Sequence, residues 1–262
     1  MLGIEYKNYT VAVDSDACIG CGACAAICSL GVIEVGEKAT LAHPERCMGC
    51  SHCTAVCPTR AIHAVKRASA PEGQADPVPT EDFGDKPFVA FEDMARHVSA
   101  RRSIRNFTEE VPSRELIEKV LAASRYAPTA CNYRLLQIAV VSDPEHIKTI
   151  REMCMKIYPM PRVLLPSPCL FIVMGPEFTQ EDASIASTTF DLVSRSAGLG
   201  CTFAGLVKRA IGQSEELRKY LRETCGIKAI DDVRSVLYFG FPGSEAAFLR
   251  PAVREPANVT WA

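Results

Sequence analysis

Eight of the chain's 13 cysteines lie between Cys18 and Cys57. They form two copies of C-x2-C-x2-C-x3-C: Cys18, Cys21, Cys24, Cys28, then Cys47, Cys50, Cys53, Cys57. The copies stand 29 residues apart, and the offset extends past the thiols: Gly20 matches Gly49, Ala26 matches Ala55, Ile33 matches Ile62. This is an internal duplication. Thiolates bind soft metals, so the choice lies between zinc and iron–sulfur. Structural zinc usually takes ligands in separated pairs. Three close thiols with a fourth from the other copy suit the corners of a cubane, each run's last cysteine serving the opposite cluster. On that reading one cluster uses Cys18, Cys21, Cys24 and Cys57, and the other Cys47, Cys50, Cys53 and Cys28; zinc stays open as the alternative. Small residues between the thiols (Gly20, Gly22, Ala23, Gly49, Ser51) let backbone N–H groups approach the sulfur. His52, inside the second loop, is expected to tune or shield a cluster.

Residues 1–66 resemble a bacterial two-cluster ferredoxin, with Ser29 replacing the proline that follows the equivalent Cys57. The resemblance implies two [4Fe-4S] clusters carrying single electrons. The chain's 262 residues, 48% hydrophobic, are enough for two units with real cores. With 29 basic against 31 acidic residues, the balance argues against nucleic acid as main partner. No apolar run reaches the roughly 20 residues of a membrane span, and the polar opening Met1–Lys7 reads as neither signal nor anchor. Ser69 to Pro87 holds four prolines, two glycines and five acids against one lysine, the composition of an extended connector. The expected division is a ferredoxin-like domain over 1–68, a linker over 69–88, and a second domain over 89–262.

The second domain reads as α+β. Phe91, Met94, Ala95 and Val98 have helical spacing. Ser113 caps a helix that carries Leu116, Ile117, Val120 and Leu121 and ends before Pro128. Asp143-Pro144 opens a third; Phe190, Val193 and Ala197 mark another, closed by Gly198 and Gly200; Ser214 starts a further one. Strands are predicted over Leu135–Val141, Cys169–Met174 and Val233–Phe241. No G-x-G-x-x-G follows a strand, so a Rossmann dinucleotide site has no support.

Arg101-Arg102-Ser103-Ile104-Arg105-Asn106-Phe107 gathers guanidinium groups and a hydroxyl at a helix end, a set suited to phosphate. With Val111-Pro112, Ala127-Pro128-Thr129-Ala130-Cys131-Asn132, Gly198-Leu199-Gly200-Cys201-Thr202-Phe203-Ala204-Gly205, Gly240-Phe241-Pro242 and Arg254 in that order, residues 90–262 resemble the FMN-dependent nitroreductase family. The resemblance implies that Arg101, Ser103 and Arg105, with Arg102 beside them, hold the flavin phosphate and ribityl chain. It implies that Asn132 approaches the pyrimidine side of the ring, that Thr202, Phe203, Ala204 and Gly205 reach its reactive edge, and that Arg254 joins the phosphate site. Tyr133-Arg134-Leu135-Leu136 departs from the family's polar–aromatic continuation, which leaves the usual nitroaromatic preference open.

The expected fold is therefore a small ferredoxin-like two-cluster domain followed by a nitroreductase-like α+β domain with a mostly antiparallel central sheet. The resemblance also implies a homodimer with flavin sites at its interface. The expected function is a cytoplasmic oxidoreductase in which two [4Fe-4S] clusters feed FMN, and FMN reduces a small organic acceptor such as a nitro compound or quinone. No catalytic side chain is demanded, since the flavin carries the chemistry. Other readings are a non-catalytic electron-transfer module serving partner proteins, a flavin reductase fed by NAD(P)H, and a zinc-bound interaction protein. Cys131 and Cys201 read as small apolar packing beside the flavin, and Cys154, Cys169 and Cys225 as core.

Overall fold

The computed structural model describes residues 9–68, 89–243, 257 and 259–260. These fall into two compact units: 9–68 together with Ala130–Arg134, and 89–129 together with 135 onward.

In the first unit β1 (Tyr9–Val13) pairs antiparallel with β4 (Ile62–Lys66), and β2 (Ile33–Val35) with β3 (Ala39–Leu41). Two single-turn helices, α1 (Ala23–Ile27) and α2 (His52–Ala55), follow the first cysteines of each copy. The duplication is written into the backbone. Left-handed residues recur at the 29-residue offset: Gly20 and Gly49, Gly22 and Ser51, Gly31 and Arg60. Gly20 is required there, because a Cβ would meet the Glu37 carbonyl oxygen at 2.4 Å. Val11, Val32, Ile33, Ala39, Ala61 and Ile62 pack around the cysteines as one apolar cluster.

The second unit holds α3 (Phe91–Ser99), α4 (Arg114–Ser124), β5 (Gln137–Val141), α5 (Pro144–Ile157), β6 (Cys169–Met174), α6 (Gln180–Ser196), β7 (Gly200–Phe203), α7 (Gly205–Gln213), α8 (Glu215–Glu223) and β8 (Val233–Gly240). Its sheet runs β5-β6-β8-β7 with every pair antiparallel. Strand alternation divides the core. Leu170, Ile172, Met174, Val236 and Tyr238 face a cluster that includes Ile150, Val207, Ile211, Leu217 and Leu221 of α5, α7 and α8. Cys169, Phe171, Val173, Leu237 and Phe239 face Ile117, Val120 and Phe190 of α4 and α6. A sheet covered on both faces explains why β6 is an unbroken apolar run. Phe190 stacks on Phe171 with centroids 3.9 Å apart and meets Phe239 edge-on at 5.3 Å.

The caps act where the sequence puts them. Ser113 accepts from Leu116 N–H, Asp143 from Glu145 and His146 N–H, and Ser214 from Leu217 N–H. Gly198 adopts the left-handed conformation that ends α6.

Candidate functional site

The cysteines of the first unit line two cavities. Cys18, Cys21, Cys24 and Cys57 border one, with Gly20 and Gly22. Cys28, Cys47, Cys50 and Cys53 border the other, with Met48, Ser51 and His52. Each cavity thus takes three thiols from one copy and the fourth from the other. Among the described residues no three His, Cys, Asp or Glu converge as ligands of a single metal ion; the donors stand around a space instead. That arrangement, with soft sulfur ligands, fits a multi-iron cluster. Backbone donors already face the sulfur: Val32 N–H to Cys28 Sγ, Ala39 N–H to Cys18 Sγ and Gly49 N–H to Cys47 Sγ, each at 3.4 Å.

These donors and burial divide the thiols. The Ala39 and Gly20 N–H groups hold Cys18 below the ordinary thiol range. At Cys57 burial pushes upward but is outweighed by the Thr59 hydroxyl and the N–H groups around it, so the net shift is down. Burial raises Cys24 and, with Cys47 and Cys50 adding repulsion, pushes Cys53 up to about 11.

Side-chain donors hold the outer carbonyls of the second loop. Arg67 Nη2 donates to the Cys47 carbonyl at 2.6 Å. Asn132 Nδ2 donates to the carbonyls of Met48 and Gly49, both at 3.0 Å. Arg134 Nη2 donates to Gly49 at 3.0 Å, while its Nε donates to Asn132 Oδ1 at 3.0 Å. Cys131, Asn132 and Arg134 all have positive φ. The resemblance implies that Asn132 approaches a flavin ring; here its side-chain amide donates to two loop carbonyls of the first unit. Arg134 thus contacts the same loop.

In the second unit the Arg101–Phe107 segment lies along the sheet. Ile104 N–H donates to the Cys201 carbonyl at 2.9 Å and Thr108 N–H to Phe241 at 2.9 Å. Phe107 forms a bridge with Pro242. Three of the sequence motifs, 101–107, 198–205 and 240–242, are thereby brought together. Arg101 Nη1 lies 3.4 Å from Oδ2 of the buried Asp191. Arg102 Nη1 donates to the carbonyls of Ser99 and Arg101. Ser103 is half-buried and Arg105 exposed. Thr202 and Ala204 are buried, Phe203 is exposed, and Gly205 begins α7. Ala204 N–H is engaged by the Val236 carbonyl at 2.8 Å. Arg254 lies outside the described residues.

The sequence reading missed the polar face of α6. Ser187, Asp191 and Ser194 are buried, and among the described residues Ser187 Oγ, Asp191 Oδ1 and Arg195 Nε find no hydrogen-bond partner. Burial raises the Asp191 carboxyl, against Arg101, Arg195 and His97, which pull it down. The available signal was polar residues at spacings of 4 and 3 beside the apolar stripe. Cys201 is fully buried and its thiol is pushed up by burial; Cys154 and Cys169 are pushed up to about 12 for the same reason. All three are packing groups. Cys131 is exposed. No described helix is long and apolar enough to cross a membrane.

Residues 10–61 match the 4Fe-4S dicluster domain, and residues 98–162 match the nitroreductase family. A protein of Archaeoglobus fulgidus described as "Putative NADH dehydrogenase/NAD(P)H nitroreductase" is 30% identical over 164 residues, 60% of this chain and 90% of that protein. A protein of Methanothermobacter thermautotrophicus with the same description is 31% identical over 44% of this chain; the chain spans 61% of its length. A nitroreductase of Desulfitobacterium hafniense, solved with bound FMN, superposes with TM-score 0.57 at 18% identity, covering 65% of this chain and 98% of its own. One from Bacteroides fragilis, also with FMN, gives 0.53 at 18% identity over 65% and 98%. The second unit therefore has the nitroreductase fold. The chain belongs to the nitroreductase family and carries a 4Fe-4S dicluster domain before it; it is an oxidoreductase.

Proposed function

We propose that this chain passes electrons from two [4Fe-4S] clusters, held by residues 1–68, to FMN held by residues 89–262, with 69–88 as connector, and thence to a small organic acceptor such as a nitro compound or quinone. The partition of eight thiols, four and four, around two cavities carries this reading. When bound, the clusters supply electrons singly and FMN delivers them in pairs. Arg101, Ser103 and Arg105 offer charge and a hydroxyl to the flavin phosphate, with Arg102 folded beside them and Arg254 as a further cation. The Ile104–Cys201 bond keeps this set next to Thr202–Gly205. There the first N–H groups of α7, which lack intrahelical partners, suit negative charge on a reduced ring. The apolar residues Phe91, Met94 and Val98 of α3, a helix with no buried residue, support a second copy as cover.

Anaerobic reconstitution of the full chain with iron, sulfide and FMN tests the proposal. Four irons per cavity, bound flavin and dithionite-driven turnover of a nitro compound or quinone are expected. A protein that holds neither iron nor flavin contradicts it.

The names of the two relatives favour a second reading, in which NAD(P)H reduces the flavin directly. Anaerobic stopped-flow mixing with NADH and NADPH separates the two: flavin bleaching ahead of iron reduction supports hydride entry.

A further inference from the structure

We infer that Asn132 and Arg134 are positioning residues for the centre held by Cys28, Cys47, Cys50 and Cys53, and that they make it the first of the two to be reduced. The inference rests on the two-cluster reading above. The duplication supplies its own control. Lys38 donates to the Cys18 carbonyl and Arg67 to the Cys47 carbonyl, and these two pairs are related by the same 29-residue offset as the cysteines. Both cavities therefore share one cation on the first loop carbonyl.

Among the loop carbonyls the difference lies at the next two, while the first cavity has its own donor in the Thr59 hydroxyl at Cys57 Sγ. Met48 accepts from Asn132, and Gly49 from both Asn132 and Arg134. At the equivalent positions, Ile19 and Gly20, no side-chain donor is found among the described residues. The Met48 carbonyl and the Gly49 N–H belong to one peptide group, and that N–H donates to Cys47 Sγ at 3.4 Å. Polarising the carbonyl end strengthens the bond at the sulfur end. Arg134 adds a second cation to the loop. Reduction places one more negative charge on the cluster, which these donors and cations favour, so its potential rises relative to the other. The electron comes from an external low-potential one-electron donor; no bond is made or broken and no proton moves. The left-handed backbone at Cys131, Asn132 and Arg134 is unfavourable for most residues, and it brings the two donors onto the loop.

The test is an EPR-monitored redox titration of the reconstituted full-length protein and its Asn132→Ala/Arg134→Ala variant, with signals assigned through Cys24→Ser and Cys53→Ser. The wild type is expected to reduce in two steps, the Cys53-dependent signal first. In the variant that step should move to lower potential while the other stays, changing the ratio of the two reduced centres about tenfold, as expected for loss of hydrogen bonds from charged donors. Arg134→Lys should restore part of the shift. Steps that move together, or not at all, overturn the inference. Wild-type protein that binds no iron at these thiols instead overturns the cluster reading. Should the double variant not fold, Arg134→Gln alone is expected to give a smaller shift of the same step, and an unmoved step counts against the inference.

Discussion

Ile104 donates its backbone N–H to the Cys201 carbonyl at 2.9 Å, and the neighbouring Gly200 makes room for it. A Cβ on Gly200 would meet Ile104 Cγ1 at 2.4 Å and Cβ at 2.9 Å. Ile104 is itself 2% exposed and has little freedom to yield. Gly200→Ala is expected to cost roughly 1–3 kcal/mol through overpacking and to push the Arg101–Arg105 segment off the sheet. Thermal melts together with FMN titration check this; unchanged flavin affinity would show that the segment does not depend on the contact.

Arg101 is expected to recognise the flavin phosphate. Arg101→Ala should weaken FMN binding about tenfold or more, the scale of a lost hydrogen bond to a charged group, while leaving riboflavin affinity unchanged. Fluorescence titration with both ligands distinguishes this from general damage, which would weaken both.

Asp191 gives the second unit a pH dependence of defined sign. Burial holds its carboxyl above the ordinary range, so the folded chain binds that proton more tightly than the unfolded chain. The associated stability is present below the unfolded carboxylate value and is lost as pH rises through the folded one. Asp191→Asn keeps the shape and removes the titration. Its Tm should lack this decline with pH; parallel profiles for variant and wild type would contradict the assignment.

Thiol reactivity of the apo chain should follow environment. Cys57, held low by the Thr59 hydroxyl and neighbouring N–H groups, is expected to react with iodoacetamide at neutral pH before Cys53, which burial pushes up to about 11. Cys154 and Cys169, both fully buried, should react only after unfolding. Peptide mass spectrometry over time reads the order, and labelling of Cys53 ahead of Cys57 would contradict it.

What the sequence reveals and what it hides divide by range. The cysteine spacing, the caps at Ser113, Asp143 and Ser214, and the apolar run of Cys169–Met174 are local signals, and each is an observed feature at its expected place. The strand expected over Val233–Phe241 forms over Val233–Gly240. The resemblance sets Thr202–Gly205 at the flavin edge and marks no element there; Gly200–Phe203 is a strand and Gly205–Gln213 a helix, joined at Ala204. Short elements around small residues carry weak periodicity, so motif and element could not be told apart. The placement of Asn132 was hidden for a different reason. Its partners Met48 and Gly49 lie 84 and 83 positions away, and no local pattern encodes a contact of that separation. The buried Asp191 was likewise illegible, since a polar residue on a helix reads as solvent-facing until the Arg101 segment covers it.

The most direct test is delivery of electrons to the flavin. The anaerobic, fully loaded chain is mixed with reduced ferredoxin, and iron and flavin absorbance are followed together. Flavin reduction that follows iron reduction, and that Cys50→Ser slows severely while leaving bound FMN in place, is the expected result. A flavin that stays oxidised after the iron centres have taken electrons contradicts the proposed route.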